Sequence, residues 1–109
     1  LTDFFFRDDY PIDEAAVRKW YTQPHIPQML EELIRRYEAL ESFDAESVER
    51  VTREVIAWLG VKGGEVIHPV RVALSGRTTG PSLFEMMAVL GKERVLKRLR
   101  RAQGWVRSS

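Results

Sequence analysis

A chain of 109 residues with 44% hydrophobic and 30% charged side chains fits one soluble globular domain with a modest core. No apolar run approaches the roughly 20 residues of a membrane helix, the Leu-Thr-Asp start lacks the basic region of a signal peptide, and a cytoplasmic location is expected. Zero cysteines exclude disulfides, thiolate catalysis and cysteine-ligated zinc, and with only His25 and His68 no metal site is expected.

A net charge of +1 hides a division along the chain. Residues 1–60 carry 7 Lys/Arg against 13 Asp/Glu, whereas residues 61–109 carry 10 against 3. Two readings follow: a polarised molecule whose basic half meets phosphates, or two halves that attract each other.

The opening run from Asp3 to Pro11 is unusually aromatic for a free terminus, which suggests a piece of a larger protein. Asp13 is placed to cap a short helix through about Tyr21. From Pro27 onward Met29, Leu30, Leu33, Ile34, Tyr37 and Leu40 recur at the spacing of one buried helical face. Glu31 with Arg35 and Glu32 with Arg36 form supporting pairs on the outside. Asp44 caps the next helix, whose inner stripe is Val48, Val51, Val55, Ile56 and Leu59, and Gly60 ends it. Both helices read as scaffold.

Val66 to Leu74 fits two patterns. Val70, Val72 and Leu74 alternate as in a strand, whereas Val66, Val70 and Leu74 share a helical face. Pro69 suits an early helical turn or a kink better than a central strand. The polar run from Ser75 to Pro81 leads to Ser82-Leu83-Phe84-Glu85, a capping-box pattern that opens a helix ending at Gly91. The last helix, about Lys92 to Gln103, sets Val95, Leu96, Leu99 and Ala102 on one side. Arg94, Lys97, Arg98 and Arg101 are read together on the other, a cationic face suited to phosphates.

Catalytic signatures are poor. No nucleophile–base–orienter set, no Gly-rich loop ending in Gly-Lys-Ser/Thr and no paired metal histidines occur. RNA binding fares better, because unstacked bases need flat apolar surfaces and donors for their edges. Pro81, Leu83 and Phe84 offer such a surface, and Arg71 supplies a planar fork. Against this stand a core role for Leu83 and Phe84 and a salt bridge for Arg71. His68 reads as a helix-start or packing residue rather than a ligand.

The run from His68 to Ala102 resembles the C-terminal end of bacterial glutamyl-tRNA synthetases. Those proteins end in a Pro-Leu-Arg-x-Ala-Leu-Thr-Gly stretch, a Pro-x-Leu-Phe helix start, a Leu-Gly-Lys-Glu-Arg turn and an Arg-rich helix. The counterparts here are Pro69 to Gly76, Pro81 to Phe84 and Leu90 to Arg94, followed by the basic last helix. The resemblance implies an all-α, compact helical bundle: residues 1–109 as a single anticodon-binding domain excised from a larger synthetase, with Val66–Leu74 helical and kinked near Pro69. It implies that Arg71 and Leu83 face the first base of the glutamate tRNA anticodon, and Pro81 and Phe84 the middle one. Gly80 departs from a threonine found in some members, and His68 from a larger aromatic.

The family's two ATP-binding signatures are absent, so the resemblance implies a non-catalytic piece of an ATP-dependent glutamate–tRNA ligase. It needs no cofactor of its own, ATP and magnesium serving the parent's catalytic domain. Its expected partners are the anticodon loop of tRNA(Glu) and the catalytic and proximal anticodon-binding domains of the same chain, in a monomer. The alternatives are a helical protein-interaction module and a DNA-binding domain that uses the basic last helix.

Overall fold

The computed structural model describes residues 10–78 and 82–106, which form six α-helices and, among the described residues, no strand. These are α1 Glu14–Trp20, α2 Ile26–Ala39, α3 Ala45–Leu59, α4 Gly64–Ser75, α5 Leu83–Leu90 and α6 Lys92–Gln103. The aromatic opening before Tyr10, together with Gly80 and Pro81, lies outside the described residues. No described helix is long and apolar enough to cross a membrane.

Two helix starts follow from local chemistry. The Asp13 carboxylate accepts from the amides of Ala15 and Ala16 at 3.0 and 3.3 Å. That of Asp44 accepts from Ser47 at 2.8 Å, and this bond holds its carboxyl below the usual range. At α5 the expected capping box does not form. Ser82 occupies the N-cap position but makes no side-chain capping bond. On α2 the expected pair of Glu32 with Arg36 forms at 2.9 Å, whereas Arg35, expected to pair with Glu31, binds Glu32 as well. Those two partners, Arg36 first, lower its pKa.

The segment that fits two patterns is a helix. Val66, Val70 and Leu74 are buried, and so are Val72 and Ala73, so α4 is apolar nearly all round and belongs at the centre of the bundle. Pro69 lies inside it and has no amide to give the carbonyl of Glu65, one turn earlier. His25 at the start of α2 supplies the donor, its Nε2 lying 2.7 Å from that oxygen. The hydroxyl of Tyr21 donates to the carbonyl of Pro69 at 2.6 Å. The His25 contact thus replaces the donor that proline removes from the helix, and the Tyr21 bond ties the same turn to α1.

Around α4 pack α1, α5 and α6. Helix α2 packs on α3 and α6, and α3 in turn on α5. Met29, Leu30, Leu33 and Tyr37 of α2 meet Val48 and Val55 of α3 and Val95 and Leu99 of α6 in one core. Inside it Thr52 donates to the carbonyl of Val48 at 2.7 Å, and its hydroxyl is hydrogen-bonded to that of Tyr37.

Candidate nucleic-acid interface

The expected base-reading residues sit on α4 and α5, which are in contact. Arg71 is half-buried one turn before the end of α4, and Phe84 is half-buried in the first turn of α5. Leu83 is different: at 2% exposure its side chain belongs to the core. That corrects its expected place on a base-facing surface. Helical geometry explains the split, because adjacent positions point about 100° apart and only one can face out. Pro81 lies outside the described residues.

Arg53 on α3 was not anticipated. Its guanidinium carbon lies 5.9 Å from the Phe84 ring centroid, while Nε binds the Glu49 carboxylate at 3.0 Å. The helix carrying it reads as acidic scaffold, and only the packing of α3 on α5 brings this cation to the aromatic ring. A cation over a ring face is attracted by the ring quadrupole and extends the flat surface beside it.

The four cations assigned to one face of α6 do not share one environment. Lys97 is exposed and Arg94 half-buried. Arg98 is 1% exposed, its Nη1 donating to the carbonyl of Leu74 at 2.7 Å. Arg101 is half-buried and donates to the carbonyl of Ala73 at 3.2 Å and to the Tyr10 hydroxyl. Arg98, expected to meet phosphates, is therefore corrected to an inward-facing position, whereas Arg101 keeps part of its side chain at the surface. The reason is register: Arg98 lies three residues after Val95 and four before Ala102, on the same stripe as those buried side chains. Elsewhere on α6, Arg100 pairs with Glu38 at 2.6 Å, and Lys92 binds the carbonyls of Glu38, at 3.1 Å, and Leu40.

One turn before Arg71, His68 stacks on Trp20 with centroids 5.5 Å apart and planes at 29°. Of the two readings, helix start or packing, the stack on Trp20 shows packing. The pair lines a cleft of about 290 Å³ with Asp13, Lys19 and Thr78. His68 Nδ1 is buried and has no hydrogen-bond partner among the described residues. Lys19 Nζ lies 5.1 Å from the Trp20 ring centroid.

A family model described as the anticodon binding domain matches residues 1–103. The chain belongs to that family. It is 46% identical to a glutamate–tRNA ligase of Desulforudis audaxviator (strain MP104C), over 94% of this chain and 21% of that protein. To the glutamate–tRNA ligase of Moorella thermoacetica (strain ATCC 39073 / JCM 9320) it is 41% identical, over 97% and 22%. Among solved structures it is similar to a glutamate tRNA ligase from Elizabethkingia meningosepticum CCUG26117 in complex with its amino acid. There the TM-score is 0.85 at 28% identity, covering 96% of this chain and 20% of that one. The chain spans about a fifth of the length of the relatives it matches. The helical bundle is thus the anticodon-binding domain of the glutamyl-tRNA synthetase family. Within that domain the exposed edges of α3, α4 and α5 carry Arg53, Arg71 and Phe84, with Lys97 on α6.

Proposed function

We propose that this domain grips the anticodon loop of tRNA(Glu) and so supports tRNA selection by a glutamate–tRNA ligase. The observation that carries the proposal is the half-buried Phe84 ring flanked by Arg53, on a helix packed against the one bearing Arg71. Single-stranded bases stack on such rings for about 1–3 kcal/mol each, and arginine forks pair with base edges. Leu83 takes part indirectly, by anchoring the first turn of α5 in the core. Pro81 keeps the base-facing role that the family resemblance implies. Lys97 and Arg94 serve the phosphates.

The domain does no chemistry in this proposal, and ATP and magnesium act in the catalytic part of the ligase, in the cytoplasm. The relatives' printed activity, glutamate–tRNA ligase, supports this assignment. Reading DNA with α6 is weakened by the burial of Arg98 and by the hydrogen bonds that tie Arg101 to the end of α4. Binding to tRNA(Glu), compared at fixed salt with the same tRNA carrying a changed anticodon, tests the proposal. Preference for the unaltered anticodon is expected. Equal affinities would leave only general attraction to RNA.

A further inference from the structure

The last turn of α4 is held by side chains that lie apart from the RNA-facing surface proposed above. Tyr10, 7% exposed, donates its hydroxyl hydrogen to the carbonyl of Ala73 at 2.7 Å. Arg98 donates to Leu74, and Arg101 to Ala73 and to Tyr10. The guanidinium carbons of these arginines lie 4.8 and 4.9 Å from the Tyr10 ring centroid, so the ring contacts both cations. Just beyond, Gly76 turns the chain with φ 77° and its carbonyl accepts from the Asp13 amide at 2.8 Å. A Cβ at Gly76 would run into the carbonyl oxygen of Pro11.

Carbonyls in the last turn of a helix lack the amide four residues on, and without partners that turn frays. Here the partners come from α6 and from residue 10, more than twenty positions away in sequence. Buried charge is seldom the most stable way to fill a core, since apolar replacements of similar volume are often as good or better. What a guanidinium adds is direction, through donors fixed in one plane.

We propose that Arg98 is a positioning residue for RNA recognition: with Tyr10 and Arg101 it fixes the end of α4, and with it the placement of Arg71 relative to Phe84. The proposal rests on the anticodon-loop function above. Residues that touch RNA are expected to act only when α4 ends in this direction.

The test uses the 109-residue chain with Arg98→Met and Arg98→Lys. Binding is measured to a tRNA(Glu) transcript and to one with its first anticodon base changed, together with amide hydrogen exchange. Arg98→Met is expected to speed exchange at residues 73–78 while α2 and α3 stay protected. It is also expected to shrink the ratio of the two affinities by about tenfold. Arg98→Lys, which keeps a donor and the charge but not the fork, recovers part of that ratio. A purely structural role would lower both affinities together and leave the ratio intact, and that result overturns the proposal. Unchanged exchange at residues 73–78 overturns it as well. Should Arg98→Met fail to fold, Tyr10→Phe carries the same two measurements, because it removes only the hydroxyl that reaches Ala73. A wild-type chain that binds both transcripts equally defeats the anticodon function first and this role with it. A discriminating wild type with an unaffected Arg98→Met defeats this role alone.

Discussion

His25 Nε2 donates to the carbonyl oxygen of Glu65 at 2.7 Å, across 40 residues of sequence, in place of the amide that Pro69 lacks. The bond needs the tautomer with hydrogen on Nε2. His25→Leu is expected to destabilise the fold by about 1–2 kcal/mol, since it strands a part-buried carbonyl. Adding Pro69→Ala to that variant should recover part of the loss, because the restored amide can close the helical bond. Urea midpoints for the two single variants and the double variant measure the coupling. Simple additivity would mean that the carbonyl is satisfied some other way.

Burial pushes the hydroxyls of Tyr21 and Tyr37 above their ordinary value of 10, with Tyr10 adding to the effect at Tyr21. The hydrogen bond with Thr52 acts in the opposite direction on Tyr37, and burial prevails. Above pH 10 the unfolded chain gives up these protons while the folded chain keeps them. The stability present below that pH is therefore lost as pH rises, at up to about 1.4 kcal/mol per pH unit for each tyrosine. Tyr37→Phe should reduce the slope of urea stability against alkaline pH by about one such increment. An unchanged slope would place the ionisation elsewhere.

Gly60 and Gly76 both end helices with positive φ, at 71° and 77°. No atom lies within 4 Å of a Cβ built at Gly60, whereas at Gly76 the backbone of Pro11 is in the way. Gly60→Ala should therefore show only the left-handed penalty, about 1–2 kcal/mol. Gly76→Ala should cost more than that and shift the segment from Tyr10 to Asp13. Thermal denaturation compares the two directly, and equal losses would mean that the Pro11 contact gives way freely.

Arg71→Ala and Lys97→Ala should separate reading from attraction. The first is expected to weaken discrimination among anticodon variants by about 1–3 kcal/mol, as for loss of a forked base contact. The second should lower affinity for every tRNA and reduce the slope of log affinity against log salt by about one. If Lys97→Ala leaves the salt slope unchanged, α6 is not near the phosphates.

The candidate site was legible in the sequence where a feature is local. Phe84 next to a helix start and Arg71 inside the Pro69–Gly76 run stand out among their neighbours, although their base-facing roles came from the family resemblance. Arg53 was not, since its partner ring lies on another helix and nothing around it distinguishes it from Arg50, the other arginine of α3. Arg98 was visible but misplaced. Charge alone sent it outward, while its spacing from Val95 and Ala102 put it with the core.

By itself the sequence determined the stripes of α2 and α3, the caps at Asp13 and Asp44, and the stop at Gly60. Each depends on atoms within a turn or two of one another, and so on short stretches of chain. The helical state of the segment around Pro69, the burial of Arg98 and the approach of Arg53 to Phe84 were decided by tertiary structure. Their partners are Glu65 with His25, Leu74, and a ring one packed helix away. A buried polar group takes whichever donor or acceptor the fold brings to it. Which one arrives depends on how distant helices pack.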